Sequence, residues 1–337
     1  MKHKKEKIAI IGAGNWGTTL AVILSRAGKE VELYSVFPDH TRAMKKDREN
    51  RLFLKGIKFP KPLHINSSLK DVLSNEIIVL AIPVKFIRKV IRQITQQKTD
   101  VSRKIFVSVS KGIESSSLKR VSQIIKEELG PVDLAVLSGP NIATEIARGI
   151  PSTTLVACPK KSIGKKIQTL FSTPLFRTYL HTDVTGVELA GALKNIIAIA
   201  CGISDGLGFG TNTKAALVTR GLTEITRLGK KLGAKPQTFW GISGLGDLVT
   251  TCFSPFSRNR SVGEQLGRGK KFGTIITQMK MVAEGIETTK SAYQLSKKMR
   301  VDMPITQQVY AVLYQNKPPR KAVSDLMLRP LKEEKIG

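Results

Sequence analysis

Residues 7–17 read KIAIIGAGNWG, an apolar run that leads directly into a glycine-rich turn. The run predicts a buried strand, and the pattern after the turn predicts a helix over Trp16–Ala27. At this junction Gly12, Gly14 and Gly17 have the spacing GxGxxG. Between a strand and a helix, such glycines permit a tight turn and let the backbone approach a pyrophosphate, which the helix N-terminus attracts. The stretch therefore predicts a dinucleotide-binding domain.

The first half of the chain repeats this alternation of strands and helices. Besides Lys7–Gly12, strands are predicted over Glu30–Ser35, Ile77–Ile82, Lys104–Ser110, Leu134–Ser138, Thr153–Ala157 and, at an edge, Leu175–Leu180. Further helices are predicted over Lys85–Thr95 and Leu118–Leu129. Because such alternation builds a parallel sheet covered on both faces, we expect an α/β Rossmann-type N-terminal domain with a parallel-rich sheet over residues 1–183.

Helical periodicity dominates the rest of the chain. Helices are predicted over Glu188–Ile203, Thr213–Leu232, Glu287–Met299, Ile305–Tyr314 and Lys321–Leu328, and loops over Asp205–Gly210, Gly241–Gly246 and Pro255–Arg260. We therefore expect an all-α C-terminal domain over residues 184–337.

The chain is strongly basic, with a formal net charge of +29 from 55 lysines and arginines against 26 acidic residues. The lysines occur as dispersed pairs without interleaved aromatic side chains, whereas binding of single-stranded nucleic acid favours aromatic stacking platforms. This distribution favours a solvated basic surface, and we expect no nucleic-acid partner. Three distant cysteines and four scattered histidines match no disulfide framework or metal-ligand spacing, so no metal site is predicted.

The basic N-terminus followed by an apolar run imitates a signal peptide. Asn15, Trp16 and the glycines interrupt the apolar run, and no other stretch is judged apolar for long enough to span a bilayer. We therefore expect a cytoplasmic protein without membrane insertion.

Lys194 is the only charged residue in the apolar run Leu189–Ile203. Burial of an ammonium lowers its pKa toward neutrality, and a lysine that exchanges a proton near pH 7 suits acid–base chemistry on a carbonyl. The alternative is that Lys194 extends to the edge of a helix-packing surface or pairs with a distant carboxylate.

Three other segments carry groups suited to chemistry on an anionic substrate. Lys111 follows a strand, at the sheet edge where ligands of parallel sheets bind, although a solvated turn lysine would look the same. Asp247 either caps a helix or lies near Lys194 and tunes its ammonium. Residues 257–260, Ser-Arg-Asn-Arg, offer hydroxyl, amide and guanidinium donors that suit a phosphate monoester.

Taken together, these segments resemble the bacterial NAD(P)-dependent glycerol-3-phosphate dehydrogenases over nearly the whole chain. The segments that carry the resemblance are GAGNWGTTLA, SVSKGIE, SGPNIATEIARGIP, GVELAGALKNIIAIACGISDGLGFGTNTKAALVTRGL, GLGDLVTTC, SRNR, EGIETTK and MPITQQVY, in family order. The resemblance implies a Rossmann-type domain followed by a helical domain. It also implies reversible reduction of dihydroxyacetone phosphate to sn-glycerol 3-phosphate with NAD or NADP, which supplies the backbone of phospholipids.

The resemblance also implies roles for individual residues. Lys194 matches the catalytic lysine that exchanges a proton with the substrate C2 oxygen, and Lys111 and Asp247 match further catalytic positions. Substrate-side positions are Lys111, Gly139, Asn141, Lys194, Asn195, Asp247, Thr251, Ser257, Arg258 and Asn259. Cofactor-side positions are Gly12, Gly14, Asn15, Trp16, Gly17, Lys111, Ala143, Arg258, Val282 and Glu284. We also expect a homodimer.

Two positions depart from the family pattern. The family often has an arginine, associated with the 2′-phosphate of NADP, where this chain has Val36. The surrounding Tyr34–Phe37 offers neither a carboxylate for a ribose hydroxyl nor an arginine, so the choice between NAD and NADP stays open. Asn141 replaces the usual serine or threonine, although its amide forms similar hydrogen bonds.

Two alternative functions remain open at this point. One is a related two-domain hydroxy-acid or hydroxyacyl dehydrogenase. The other, from a different class, is a basic nucleic-acid-binding protein on a dehydrogenase fold.

Overall fold

The computed structural model describes residues 7–279, 281–331 and 333–334, which form two compact units. The first unit contains the described residues up to Ser110 together with Val121–Val184. The second contains Lys111–Arg120 and the described residues from Thr185 onward. The boundary predicted between residues 183 and 184 stays a prediction, but the transfer of residues 111–120 to the second unit was not foreseen.

The first unit is built on one eight-stranded sheet in the order β3-β2-β1-β4-β5-β6-β7-β8. The strands are β1 (Lys7–Ile11), β2 (Glu30–Tyr34), β3 (Leu63–Asn66), β4 (Ile77–Leu80), β5 (Ile105–Ser108), β6 (Asp133–Ser138), β7 (Ser152–Ala157) and β8 (Phe176–His181). Neighbouring strands run parallel except for the antiparallel pair β6–β7. The predicted parallel-rich Rossmann-type architecture is confirmed.

Helices cover both faces of this sheet. They are α1 (Asn15–Arg26), α2 (Pro38–Asp47), α3 (Leu69–Val72), α4 (Val84–Gln96), α5 (Val121–Leu129), α6 (Ala143–Ala147) and α7 (Lys161–Phe171). Along β1, Ile8 and Ile10 belong to one hydrophobic cluster, whereas Ala9 and Ile11 belong to another. This alternation places successive side chains on opposite, equally buried faces, which explains why β1 and β4 are nearly continuous apolar runs.

The second unit is helical in its described part. Its helices are α8 (Val184–Gly206), α9 (Thr211–Lys231), α10 (Gln237–Trp240), α11 (Asp247–Phe253), α12 (Arg258–Gly267), α13 (Phe272–Gln278), α14 (Glu284–Met299), α15 (Pro304–Tyr314) and α16 (Pro319–Met327). Every residue of α8 from Gly186 to Ser204 is buried, so α8 is the core helix around which the others pack.

Several sequence predictions about loops and boundaries were wrong. Gly241–Gly246 is not a loop throughout, because Ile242–Gly246 forms a π-helical turn that runs into α11. The predicted loop Pro255–Arg260 contains the start of α12, and the predicted loop Asp205–Gly210 contains the end of α8. The helix predicted from Leu118 begins only at Val121, because Leu118 has a left-handed backbone (φ 59°) and residues up to Arg120 belong to a loop.

In the described part of the chain, α8 alone has the length and composition of a membrane-crossing helix, with a mean hydropathy of 1.5 over eighteen residues. The expectation that no apolar stretch would reach this length was therefore wrong. The whole of that window is buried inside the structure, which is also a property of the core helix of a globular unit. Protein side chains therefore cover its apolar surface.

Candidate functional site

The glycine-rich turn between β1 and α1 is tightly packed at two of its three glycines. Gly12 has φ +116°, and a Cβ there would lie 2.4 Å from the carbonyl oxygen of Ala81. A Cβ on Gly17 would lie 2.0 Å from the carbonyl oxygen of Gly12. Gly14 differs, because no atom lies within 4 Å of its Cβ position and it precedes α1 in extended conformation. Close backbone contacts therefore require glycine at positions 12 and 17, whereas the space around Gly14 is open.

The start of α1 has the features of an anion-binding site. No side chain caps its first turn, so the backbone N–H groups are available to a ligand. In the described part of the chain, Asn15 Oδ1 is buried without a hydrogen-bond partner. An orphaned acceptor is costly unless a ligand donates to it, and a dinucleotide carries such donors in its ribose hydroxyls and its carboxamide. Trp16 packs edge-to-face on Phe176, with 6.4 Å between ring centroids.

Asn50 supports the turn and was missed by the sequence analysis. Its buried Nδ2 donates to the carbonyl oxygen of Ala13 at 2.9 Å and to Thr18 Oγ1 at 2.8 Å. His40 Nε2 lies 3.0 Å from Asn50 Oδ1. No local pattern identifies Asn50, because it follows Ala13 by 37 residues and acts through tertiary contacts.

The segment after β2 carries no strong mark of cofactor choice. Val36 is 58% exposed, and the neighbouring Ser35 is buried with its hydroxyl near His40 Nδ1 at 3.3 Å. Arg42, a possible partner for a 2′-phosphate, forms an ion pair with Asp39 on the surface.

Gly139, Asn141 and Ala143 lie between β6 and α6 in the first unit. A Cβ on Gly139 would lie 3.0 Å from the Cα of Thr154, so the chain passes close to β7 there. Asn141 Nδ2 donates to the carbonyl oxygen of Thr153 and its Oδ1 accepts from Thr154 Oγ1, both at 3.0 Å. Both ends of this amide are thus engaged inside the unit. The Ala143 carbonyl accepts from Thr19 Oγ1 of α1 at 3.2 Å.

In the second unit, Asp247 is shared by two lysines. Its Oδ1 lies 2.9 Å from Lys194 Nζ, and its Oδ2 lies 2.6 Å from Lys111 Nζ. The side chains of Lys194 and Asp247 are 6% and 2% exposed, whereas that of Lys111 is 20% exposed. Of the two sequence interpretations of Asp247, the structure places it beside Lys194. At the start of α11 its side chain accepts from these ammonium groups.

The two lysines give the cluster an unusual balance of charge. Burial lowers the pKa of Lys194 to about 8, Asp247 opposes this shift, and the charge of Lys111 adds to it. Thr251 Oγ1 donates to the carbonyl oxygen of Asp247 at 2.7 Å and accepts from Lys194 Nζ. The buried ammonium is therefore held in one orientation and carries a proton that it can release near neutral pH.

Two asparagines join α8 to α12 next to this cluster. Asn259 Nδ2 donates to Asn195 Oδ1 at 2.9 Å, and Asn259 Oδ1 accepts from the backbone N–H of Gly285 at 2.9 Å. Because both amides are buried, these bonds fix the position of α12 relative to Lys194.

The start of α12 presents the remaining predicted residues. Ser257 is the N-cap, and its Oγ accepts from the backbone N–H of Arg260 at 3.2 Å. The exposed Arg258 donates from Nη1 to the carbonyl oxygen of Val282 at 2.7 Å. Val282 lies two residues before the start of α14 at Glu284. The predicted residues 257–259, 282 and 284 therefore converge in space.

The chain matches known proteins along nearly its whole length. Residues 7–164 match the family described as "NAD-dependent glycerol-3-phosphate dehydrogenase N-terminus", and residues 183–324 match the corresponding "C-terminus". Two curated relatives named glycerol-3-phosphate dehydrogenase [NAD(P)+] come from Chlorobium phaeobacteroides and a Geobacter species. The first is 49% identical, covering 97% of this chain and 99% of its own, and the second is 48% identical, covering 98% and 99%.

A solved structure shares the architecture. The glycerol-3-phosphate dehydrogenase of Coxiella burnetii superposes with a TM-score of 0.93 at 38% identity, and the match covers 96% of this chain and 99% of that one. Two family matches together span most of the chain, and the curated relatives match it almost end to end. The chain therefore belongs to the NAD-dependent glycerol-3-phosphate dehydrogenase family.

Proposed function

We propose that this chain catalyses the reversible, NAD(P)-dependent reduction of dihydroxyacetone phosphate to sn-glycerol 3-phosphate. The observation that carries the proposal is the buried cluster in which Asp247 holds Lys194 on one carboxylate oxygen and Lys111 on the other. Reduction of a ketone requires a proton donor and positive charge at the carbonyl oxygen, and this cluster offers both. The relatives bear the name of this activity.

Lys194 is the proposed proton donor. Within the described part of the chain its Nζ donates to Asp247 and Thr251, which leaves one of the three ammonium N–H bonds for a substrate oxygen. In the reductive direction the ammonium protonates the developing alkoxide at C2, and in the oxidative direction the neutral amine removes the same proton. Lys111 adds positive charge that stabilises the alkoxide, and Asp247 keeps the two lysines in place.

The substrate phosphate is proposed to bind at the start of α12. The Arg258 guanidinium, the Ser257 hydroxyl and the N–H groups of the first helical turn are donors that suit a phosphate monoester. The buried amide network of Asn195 and Asn259 then holds this site at a fixed distance from Lys194. A fixed distance matters because misplacement of the carbonyl by 1 Å can cost about 100-fold in rate.

The glycine-rich turn of the first unit is proposed to hold the dinucleotide. When bound, NADH or NADPH supplies the hydride that reduces the ketone carbon. The N–H groups at the start of α1 would bind its pyrophosphate, and Asn15 Oδ1 would accept from a donor group of the cofactor. Trp16, Ala143, Arg258, Val282 and Glu284 are the further proposed contacts.

Gly14→Ala is predicted to separate folding from cofactor binding. Nothing lies within 4 Å of the added methyl, so the melting temperature stays at the wild-type value. The methyl blocks approach of the pyrophosphate, so the Kd for NADH rises at least about tenfold, measured by fluorescence titration. Gly210→Ala is the matched control, because Gly210 also precedes a long helix in extended conformation with nothing nearby. Unchanged NADH affinity in Gly14→Ala would place the pyrophosphate elsewhere.

The pH dependence of the reaction should report the state of Lys194. Because its pKa is about 8 and the acid form is needed for reduction, kcat/KM for dihydroxyacetone phosphate should fall as pH rises through about 8. In the oxidative direction the neutral amine is needed, so kcat/KM for sn-glycerol 3-phosphate should rise through the same pH. Initial rates in both directions measure this. Profiles that stay flat across pH 8 would contradict the assignment of Lys194.

The deciding experiment follows NADH and NADPH oxidation separately, with and without dihydroxyacetone phosphate. Substrate-dependent oxidation supports the proposed function, and the ratio of the two rates decides the cofactor. A hydroxy-acid or hydroxyacyl dehydrogenase would instead be inactive with this substrate and active with 2-keto acids or 3-ketoacyl thioesters.

We further propose that the enzyme acts in the cytoplasm as a homodimer and supplies the backbone of phospholipids without binding nucleic acid. The complete burial of the apolar window in α8 supports a protein without membrane insertion, and the dispersed arrangement of the lysines argues against nucleic-acid binding. Analytical ultracentrifugation tests the dimer, which should have about twice the 37.0 kDa mass of the chain.

A further inference from the structure

Residues Lys111–Arg120, which we name the Lys111 loop, form a short hairpin packed in the helical unit. Ile113 and Arg120 form an antiparallel bridge at its base. Inside it, the backbone N–H of Glu114 donates to the carbonyl oxygen of Lys119 at 3.0 Å, and that of Leu118 donates to the carbonyl oxygen of Glu114 at 2.8 Å. These contacts link the two ends of the loop, so a displacement of Arg120 also displaces the end that carries Lys111.

Besides the ion pair of Lys111 with Asp247, contacts near both ends of the loop attach it to helices of its unit. The buried Ser291 hydroxyl of α14 donates to the carbonyl oxygen of Ile113 at 3.0 Å, and Ile113 itself is 2% exposed. At the other end, Arg120 forms an ion pair with Glu188 of α8, with side chains that are 17% and 4% exposed. An ion pair this deeply buried holds its partners strongly, because removing one leaves an uncompensated charge.

The position of Glu188 on α8 links the loop to the reactive cluster. Glu188 precedes Lys194 by six residues on the same helix, about 9 Å along its axis. One helix, buried from Gly186 to Ser204, therefore carries both Lys194 and the anchor of the loop that delivers Lys111. The proposed acid and the second lysine reach Asp247 from different parts of the chain, yet both are positioned from α8.

We propose that Glu188 is a positioning residue, which holds Arg120 so that the Lys111 loop keeps the Lys111 ammonium on Asp247. This inference rests on the proposed function for its kinetic consequences, but not for its structural one. With the loop loosened, Lys111 no longer places its charge at the substrate oxygen or beside Lys194. Because the charge of Lys111 lowers the pKa of Lys194, its withdrawal raises that pKa.

The test compares Glu188→Gln with a control that loses an ion pair elsewhere in the same unit. The glutamine keeps the size of the side chain and removes its charge. Asp325→Asn is the control, because Asp325 pairs with Lys317 at 2.5 Å and Lys321 at 3.1 Å at α16. Arg120→Gln removes the other partner of the same ion pair and replaces Glu188→Gln if that variant does not fold. Each protein is examined by hydrogen exchange, by steady-state kinetics and by a pH profile.

The expected result has three parts that a purely stabilising ion pair would not produce together. Amides of residues 112–119 exchange at least about tenfold faster, because the loop opens locally. The kcat for dihydroxyacetone phosphate reduction falls about tenfold with a smaller change in KM, because Lys111 stabilises charge that develops in the transition state. The alkaline limb of kcat/KM moves to higher pH.

Two outcomes would overturn the inference. One is wild-type exchange in residues 112–119 of the folded variant. The other is faster exchange accompanied by the kcat and pH profile seen in Asp325→Asn. Failure of the proposed function is recognised separately, because wild-type protein would then show no oxidation of NADH or NADPH dependent on dihydroxyacetone phosphate, while hydrogen exchange still decides whether Glu188 holds the loop.

Discussion

Lys194→Met is expected to lower kcat for dihydroxyacetone phosphate reduction by about 10²–10⁴-fold, the usual contribution of a positioned general acid. Methionine fills much of the volume of the lysine stem among the buried residues of α8, so the packing should survive. Asp247 keeps an ammonium partner, because Lys111 lies 2.6 Å from its other oxygen. The Kd for NADH should remain close to the wild-type value. Steady-state kinetics and fluorescence titration measure the two quantities.

Lys290→Met is the matched control, since Lys290 lies on α14 with an exposed side chain and loses the same charge. Lys194→Arg adds a second test, because an arginine keeps the positive charge but does not release its proton. That variant should lose oxidation of sn-glycerol 3-phosphate, which needs a neutral base. Wild-type turnover in Lys194→Met would remove Lys194 from the chemistry. A collapse of its melting temperature would assign the residue a structural role instead.

The sequence revealed the parts of the fold that depend on local periodicity. The strand–glycine–helix order at residues 7–17 identified the Rossmann-type unit, and one charge in the apolar run around Lys194 identified the buried lysine. Both patterns lie within a short stretch of sequence. The helix α7 was not predicted, although Ile163, Ile167 and Leu170–Phe171 follow helical spacing, because the surrounding lysines mask this periodicity.

Other features depend on contacts between distant residues and could not be predicted. The strand β3 is a four-residue edge strand after Pro60 and Pro62, too short for a periodic signal. The antiparallel direction of β7 relative to β6 is a matter of chain path, which strand composition does not encode. The attachment of Arg120 to Glu188 joins residues 68 positions apart.

We expect the contact between α8 and α12 to tolerate no added side-chain volume. Four glycines lie in this contact, Gly202 and Gly206 on α8 and Gly263 and Gly267 on α12. The two glycines of each helix are four positions apart. A Cβ on Gly263 would lie 2.0 Å from the carbonyl oxygen of Ile199, and one on Gly202 would lie 2.0 Å from that of Arg260. The obstructing atoms are backbone, so no rotamer change relieves the overlap, and the two helices must separate.

Gly263→Ala is therefore predicted to lower the free energy of unfolding by about 3 kcal/mol or more, which is the upper end of the usual range for overpacking. This loss exceeds the gain of about 1 kcal/mol that alanine brings through its higher helix propensity. Thermal and urea unfolding measure the free energy. Gly273→Ala is the control, because that glycine of α13 has no atom within 4 Å of its Cβ position. Stability equal to that of the control would show that the helices adapt to a methyl group.

Separation of these helices also has a kinetic consequence. Lys194 and Asn195 lie on α8, whereas Arg258 and Asn259 lie on α12, and the hydrogen bond between the two asparagines spans the contact. Folded Gly263→Ala should therefore show a raised KM and a lowered kcat for dihydroxyacetone phosphate, because the phosphate site and the acid no longer hold the carbonyl in one position. If the two kinetic constants stayed at wild-type values while stability fell, the contact would serve folding alone. The glycines would then have no part in setting the distance between the proposed phosphate site and Lys194.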